Sequence, residues 1–240
     1  MGAGLQRAGW DIVQVYSRTK ASASELAGRL EVPFVTSWEE VCTDADVYLV
    51  MVKDDALEGL IPSLVKGREG ALFVHTAGSM PIGVWENHAC RYGVLYPMQT
   101  FSKERAVDFA SVSFFVEASG EAELGMLKEM AQSLSEKVYE ATSEQRTYLH
   151  MTAVFACNFA NHMYALCDYL LKKQGLPFEA VLPLIDETAR KVHELSPREA
   201  QTGPAARADL KVMSKHLVML EDEPRLQDIY RMISNSIQGK

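Results

Sequence analysis

The sequence has little positive charge, few cysteines and no long apolar run. Its 240 residues include 24 Lys and Arg against 32 Asp and Glu, which gives a net charge of −8. A general nucleic-acid binder needs a basic face, and a protein bound to an anionic membrane surface needs a basic run, so the sequence argues against both classes. Because it also lacks a signal peptide and an apolar stretch of about 20 residues, we expect a cytoplasmic protein with no membrane contact.

The histidines and cysteines show no metal-binding pattern. The six histidines are scattered, and the cysteines form no Cys-x-x-Cys pair and have no metal-ligand spacing. We therefore expect no metal site, and we expect the thiols to be reduced and buried. The four cysteines are Cys42, Cys90, Cys157 and Cys167.

The chain changes character near residue 142. Before that point strand-like and helix-like patterns alternate, and Val47–Val52 is a continuous apolar run typical of a strand buried on both faces. From Ser143 onward no segment is typical of a strand. This predicts an α/β fold with a doubly wound, mostly parallel Rossmann-like sheet in residues 1–142, followed by an all-α domain in residues 143–240.

Local signals bound the individual elements. A capping box at Ser22 opens a helix to about residue 30, Gly175 ends a long helix that begins at Ser143, and Pro97 ends a strand. We also predict that Gly203-Pro204 opens a later helix. The remaining predicted elements are strands at 11–16, 71–75, 93–96, 112–116 and 137–141, and helices at 121–135, 178–195 and from Pro224.

The beginning of the sequence resembles an interrupted dinucleotide-binding motif. Gly2-Ala3-Gly4 is typical of the start of a glycine turn, yet only 13 positions separate Gly4 from Ser17. In the usual motif the ribose-reading residue follows the glycines by about 20 positions. We therefore expect a truncated first βα unit; the alternative is a flexible Gly-Ala-Gly tail.

Ligands of open α/β sheets bind at the carboxyl ends of the strands. Ser17-Arg18-Thr19 follows the first strand, where NAD enzymes place an acid that would repel a 2′-phosphate. Hydroxyls and a guanidinium favour that phosphate instead, so we predict NADP as the cofactor; the alternative is a polar turn. The predicted cofactor-binding residues are Gly2, Gly4, Ser17, Arg18, Thr19, Val52, Lys53, Thr76 and Gly78.

Two further strand ends supply candidate chemistry. His75 beside a glycine turn could act as a general acid or orient a carbonyl; the alternative is a histidine that satisfies the turn backbone. Tyr96 and Gln99 could line the substrate side of the nicotinamide; the alternative is a proline-terminated strand with exposed polar ends.

The long predicted helix has two distinct faces at 100° per residue. One face is predicted to be core and contains Phe155, Phe159, Met163, Leu166 and Leu170. The opposite face is small and polar, and its His150, Asn158 and Asn161 would point toward substrate. The alternative is a helix–helix seam with polar spacers.

The segment around Gly203-Pro204 predicts an anion site. Thr202 before a helix N-terminus and Arg207 one turn into the helix could hold a substrate carboxylate. The alternative is an ordinary cap with Arg207 in a salt bridge.

Several strings taken together resemble a known family: VYSRT, HTAGS, YPMQTFS, FACNFANHMYAL and AQTGPAARAD. The chain resembles uncharacterised bacterial proteins with a Rossmann-like N-terminal domain and an all-helical C-terminal domain of unknown function. It is more distantly similar to ketopantoate reductase, pyrroline-5-carboxylate reductase, prephenate dehydrogenase and the deazaflavin-dependent NADP oxidoreductases. The resemblance implies a homodimer formed through the helical domain. Active relatives carry a lysine four residues before a helical asparagine, but here Val154 and Cys157 stand in those positions.

These observations predict an NADP-dependent oxidoreductase. Hydride would pass to or from a small metabolite, neutral or anionic, in the interdomain cleft. The predicted catalytic residues are His75, Gln99, Asn158 and Asn161, and the predicted substrate-binding residues are Tyr96, His150, Thr202 and Arg207. Two alternatives stay open, a nucleotide-sensing protein without turnover and a helical interaction module.

Overall fold

The computed structural model describes residues 1–102 and 105–239. Seven strands alternate with helices in its first part. The strands are β1 (Val15–Tyr16), β2 (Phe34–Val35), β3 (Val47–Val50), β4 (Leu72–His75), β5 (Arg91–Met98), β6 (Ser113–Ala118) and β7 (Val138–Glu140). The helices are α1 (Gly2–Arg7), α2 (Lys20–Leu30), α3 (Asp54–Val65), α4 (Glu121–Gln132), α5 (Ser143–Ala153), α6 (Ala160–Lys173), α7 (Leu182–Glu194), α8 (Leu210–Met219) and α9 (Pro224–Ile237). A π-helical segment, Val154–Phe159, joins α5 to α6.

The strands form two sheets. β1 and β2 make a parallel pair, and β3 to β7 make a five-stranded sheet in sequence order. In the larger sheet only the β5–β6 pairing is antiparallel. This mostly parallel sheet with a helical C-terminal region is the predicted Rossmann-like fold.

Two apolar cores cover the two faces of the larger sheet. One core joins strand residues such as Leu72, Leu95 and Phe114 to the buried side of α4. The other joins Phe73 and its neighbours to α3 and to the fully buried Trp85. Because successive strand residues point to opposite faces, β4 contributes Leu72 and Val74 to the first core and Phe73 to the second.

The chain divides into two compact units, Met1–Met163 and Tyr164–Lys240. All seven strands and α5 belong to the first unit. A domain boundary after residue 142 stays a prediction. In the part of the chain that the structure describes, none of the helices is long and apolar enough to cross a bilayer.

The three element boundaries predicted from Ser22, Pro97 and Gly203-Pro204 are wrong. The helix predicted from Ser22 begins at Lys20, because the Thr19 hydroxyl caps it by accepting from the Ser22 N–H. Strand β5 continues through Pro97 to Met98, and Pro97 is paired with Phe114 of the antiparallel strand β6. Gly203-Pro204 opens no helix, since the next helix starts at Leu210 under an Asp209 cap.

The N-terminal glycines lie in a helix instead of a turn. α1 starts at Gly2, so neither a glycine turn nor a flexible tail describes Gly2-Ala3-Gly4. Gly4 is buried, and a Cβ on it would lie 3.1 Å from side-chain atoms of both Leu134 and Phe109. The small residue therefore serves close packing.

The helical region is much less buried than predicted. Phe155 and Phe159, expected in a core, are 64% and 50% exposed, and they touch each other edge to face. Three of the four cysteines are also exposed instead of buried, namely Cys90, Cys157 and Cys167. The helices from α5 onward therefore leave apolar surface uncovered.

Candidate active site

Three polar side chains share one face of the larger sheet near the carboxyl ends of its parallel strands. His75, the last residue of β4, is paired with Val94, and Val94 is paired with Glu117 on β6. Paired residues point to the same face, and so does Tyr96, two positions after Val94. His75, Tyr96 and Glu117 are therefore brought together by strand register alone.

His75 is almost completely buried. Its side chain is 1% exposed, and its Nδ1 accepts a hydrogen bond of 3.2 Å from the Ala77 N–H. Its Nε2 has no partner among the described residues. Burial, together with the nearby cation of Arg146, lowers its pKa to about 4. His75 is therefore neutral near pH 7, a poor general acid, and satisfies the turn as the alternative reading expected.

Tyr96 and His150 form a direct contact beneath Gly78. The Tyr96 hydroxyl lies 3.4 Å from His150 Nδ1, and the two rings meet edge to face. A Cβ on Gly78 would lie 2.8 Å from Tyr96 Cζ and 2.9 Å from His150 Nδ1. Glycine is thus required at position 78 so that the turn can close over the pair.

The pKa of Tyr96 is raised above its ordinary value. Burial is the main cause, and the cation of Arg146 acts in the opposite direction. The phenol therefore keeps its proton near neutral pH, and the nearby cation favours the phenolate that would form if the proton left.

A buried ion pair fixes α5 against the sheet, and sequence reasoning missed it. Arg146, 1% exposed, donates to the Glu117 carboxylate and to the Met80 carbonyl. Ser143 donates to the same carboxylate through its N–H and its hydroxyl, at 2.9 and 2.8 Å. The Ile82 N–H donates to the Ser143 hydroxyl at 2.9 Å, so the network also holds the turn after β4.

One sequence signal could have suggested Arg146. The Thr142 capping box starts α5, which puts this arginine close to the helix N-terminus. A cation is unfavourable there because the helix dipole is positive at that end, so a partner elsewhere is implied. The identity of that partner, Glu117, depends on the tertiary fold.

The predicted cofactor residues occupy the expected strand ends. Ser17 extends the β1–β2 pairing by donating its N–H to Val35 at 3.3 Å, and Thr19 caps α2. Arg18 between them is exposed. At the neighbouring strand ends Val52 is exposed, Lys53 is the N-cap residue of α3, and Thr76 is half-buried.

Other predicted site residues are not brought into this cluster. Gln99 is exposed, and its Oε1 accepts from its neighbour's N–H at Thr100. Asn158 and Asn161 are exposed, and no amide hydrogen bond of theirs occurs within the described ranges. Thr202 and Arg207, in the second unit, precede the Asp209 cap of α8, so the prediction that they lie at a helix N-terminus is wrong, and their part in substrate binding stays a prediction.

The π-helical segment explains why the helix-face prediction failed. A uniform 3.6-residue period was assumed from Ser143 onward, but residues 154–159 are wound with i→i+5 hydrogen bonds. Each such turn rotates the following residues away from the face that a regular α-helix would give them. Asn158 and Asn161 therefore cannot be assigned to the face of His150 by counting.

Family models match both parts of the chain. The Rossmann-like domain matches residues 1–96, and the domain of unknown function DUF2520 matches residues 112–237. No curated protein matches the chain.

Three solved structures are similar over the whole chain. A Bacteroides fragilis protein provisionally described as an NADP oxidoreductase is 55% identical, with a TM-score of 0.94. The alignment covers 100% of this chain and 93% of the Bacteroides fragilis chain. A Thermotoga maritima protein is 20% identical, with coverage of 100% and 96% and a TM-score of 0.79. An imine reductase from Myxococcus stipitatus in complex with NADP+ is 17% identical, with coverage of 100% and 89% and a TM-score of 0.65.

The last two similarities show the fold alone, whereas the first extends to the sequence. Together with the two domain matches, it confirms the family expected from the sequence strings. The chain belongs to the family of proteins that join a Rossmann-like domain to a DUF2520 domain.

Proposed function

We propose that the chain is an NADP-dependent oxidoreductase. The observation that carries this proposal is the position of Arg18, an exposed guanidinium between two hydroxyl residues at the carboxyl end of β1. No ion pair engages it among the residues that the structure describes. Two relatives support the choice of cofactor, the 55% identical protein described as an NADP oxidoreductase and the imine reductase bound to NADP+.

The residues present fit one end of the cofactor. Ser17, Arg18 and Thr19 offer a charged donor and two hydroxyls to a 2′-phosphate, with no carboxylate in the same turn. Gly2 and Gly4 lie in a six-residue helix and Gly4 is buried, and a cofactor contact of either glycine stays a prediction. When bound, the nicotinamide supplies or accepts the hydride, and the protein supplies orientation and proton transfer.

The substrate site is proposed at the carboxyl edge of the sheet, where α5 faces it within the first unit. Tyr96 and His150 offer the polar contacts there, and Gly78 brings the turn backbone close to both. His75 would orient the turn, because its Nδ1 is already occupied by the Ala77 N–H. A small carbonyl or imine compound suits this arrangement.

Calorimetric titration with NADPH and NADH tests the cofactor assignment. We expect NADPH to bind more tightly than NADH. Arg18→Ala is expected to lower the affinity for NADPH by about 10- to 100-fold, because one or two charge-assisted hydrogen bonds are lost, and to leave the affinity for NADH unchanged. Arg29→Ala is the matched control, since Arg29 is an exposed arginine on α2 whose partner is Glu25. Equal affinities for the two nucleotides, unaffected by Arg18→Ala, would contradict the proposal.

We also propose that the chain forms a homodimer through its helical region. α6, α7 and α8 contain no buried residue, although each carries large apolar side chains. The most exposed of these side chains are Leu184, Leu210, Val218, Met219 and, on α9, Met232. Helices with this much uncovered apolar surface gain by burying it against a second copy.

Sedimentation equilibrium tests the dimer. We expect a species of twice 26.7 kDa, and Val218→Asp with Met219→Asp is expected to shift it toward the monomer. Lys211→Asp on the same helix changes charge without removing apolar surface and serves as the control. A monomer at all micromolar concentrations would contradict this proposal and leave the cofactor proposal standing.

A further inference from the structure

The contact between Tyr96 and His150 forms a continuous path from solvent to the sheet edge. His150 is exposed on α5, and its Nδ1 lies 3.4 Å from the hydroxyl of Tyr96, which is 8% exposed. Gly78 covers the contact so closely that a Cβ would touch both rings. The path therefore consists of one solvent-accessible imidazole followed by one buried phenol.

We propose that Tyr96 is the proton donor of the reaction and that His150 resupplies its proton from solvent. The proposal rests on the proposed oxidoreductase function. As hydride adds to the carbon of a C=O or C=N group, the Oη–H bond of Tyr96 breaks and an O–H or N–H bond forms on the substrate heteroatom. The Nδ1–H of a protonated His150 then moves to the phenolate oxygen, and solvent reprotonates the imidazole.

Three other polar groups of the first unit cannot take this role. Arg146 is a permanent cation that does not release a proton. His75 is neutral, and its Nδ1 accepts from the Ala77 N–H. Gln99 is an exposed amide with no titratable proton. The Tyr96 phenol, with its His150 imidazole partner, is suited to repeated proton transfer.

The charges around Tyr96 suit a donor of this kind. Burial keeps the phenol protonated before the step, and the Arg146 cation stabilises the phenolate after it. Asp54 and Cys157 act on the Tyr96 pKa in the same direction as burial. The ion pair with Glu117 holds Arg146 in place, so its charge is fixed relative to the phenol.

The kinetic test compares Tyr96→Phe, His150→Gln and the control Tyr148→Phe, which alters an exposed tyrosine of α5. NADPH consumption is followed with a panel of aldehydes, 2-oxo acids and cyclic imines, and NADPH binding is measured in parallel. We expect Tyr96→Phe to lower kcat by about 10²-fold or more with unchanged NADPH affinity. His150→Gln keeps a hydrogen-bonding side chain but has no proton to release to a phenolate, so it is expected to lower kcat while NADPH affinity stays unchanged.

A second readout needs no turnover. With tyrosine labelled by ¹³C at Cζ, the Tyr96 signal is assigned by its loss in Tyr96→Phe. Its chemical shift is expected to change in His150→Gln, where the hydroxyl loses its imidazole partner, and to stay unchanged in Tyr148→Phe. A Tyr96 signal that is the same in the native protein and in His150→Gln would overturn the inference, whether or not a panel compound is reduced.

The two proposals fail in different ways. If the native protein binds NADPH and reduces a panel compound, and Tyr96→Phe retains kcat within about 3-fold, the proton-donor role is wrong and the oxidoreductase function stands. If the native protein binds neither nucleotide, the oxidoreductase function itself is wrong. Circular dichroism of Tyr96→Phe checks its fold, and His150→Gln tests the relay independently.

Discussion

Replacement of Arg146 by methionine would leave the Glu117 carboxylate without its cation. The Arg146 side chain is 1% exposed and that of Glu117 19%, so water replaces little of the lost interaction. Methionine fills much of the arginine's volume with apolar atoms, so the effect on stability reflects the charge more than a cavity.

The expected cost follows from what each partner keeps. Breaking a buried ion pair on one side costs about 3–5 kcal/mol, because the remaining charge is uncompensated. Glu117 still accepts from the Ser143 N–H and hydroxyl, which favours the lower end of that range. The Met80 carbonyl also loses its donor. We therefore expect Arg146→Met to lower the free energy of unfolding by about 3 kcal/mol.

Tryptophan fluorescence during urea unfolding measures this loss specifically in the first unit. The three tryptophans, Trp10, Trp38 and Trp85, all lie in that unit. Glu117→Gln and the double variant complete a mutant cycle. We expect the double variant to lose less unfolding free energy than the two single variants lose together, by more than about 1 kcal/mol. A loss below about 1 kcal/mol for Arg146→Met, with no coupling, would refute the argument that this pair is desolvated.

Two further predictions concern the same region. Gly78→Ala would overpack the turn and force it away from Tyr96 and His150, and we expect it to lower the free energy of unfolding by about 1–3 kcal/mol in the same urea assay. It should also remove the effect of His150 on the ¹³C chemical shift of Tyr96. Gly83→Ala is the control and should have little effect, because a Cβ there meets only a flexible glutamate at 3.6 Å. His75 has a folded-state pKa of about 4 against 6.5 when unfolded, so the unfolded state binds more protons between these values. The contribution of His75 to stability is therefore constant above about pH 6.5 and falls by up to about 3 kcal/mol as pH drops toward 4, and urea unfolding should find this part of the pH dependence missing in His75→Gln.

Strand positions could be predicted from the sequence because buried parallel strands are continuous apolar runs. Val47–Val50 and Leu72–His75 lie within the predicted ranges. A short apolar run suits a buried strand, because most helices are longer and carry polar residues on one face. The helix start at Lys20 was missed, because both Thr19 and Ser22 can cap a helix and only the fold decides between them. The strand through Pro97 was missed because the pairing of β5 with β4 ends at Val94, and beyond that residue β5 tolerates a missing N–H on the side of β4.

In the candidate site, too, positions set by local sequence could be predicted, whereas positions set by tertiary contacts could not. Tyr96 and His75 could be identified, since the carboxyl ends of neighbouring parallel strands converge on one edge. Arg146 and Glu117 are 29 positions apart, and nothing in either local sequence names the other. Phe155 and Phe159 were wrongly assigned to a core because a π-helical turn leaves no reliable pattern in the sequence, and the role of Asn158 stays a prediction.

Arg146, which sequence reasoning missed, also acts on the pKa values of His75 and Tyr96, although burial is the larger cause for both. The Arg146 cation disfavours the charged form of His75 and favours that of Tyr96, so one fixed charge acts oppositely on an imidazole and a phenol. Removing it should therefore do more than destabilise the fold, because it raises the cost of forming the Tyr96 phenolate. In the Arg146→Met/Glu117→Gln double variant part of the stability is expected to return while the cation is absent. If turnover recovered together with stability in that variant, the ion pair would be a positioning device only; if turnover stayed low, the charge itself would serve the proton transfer.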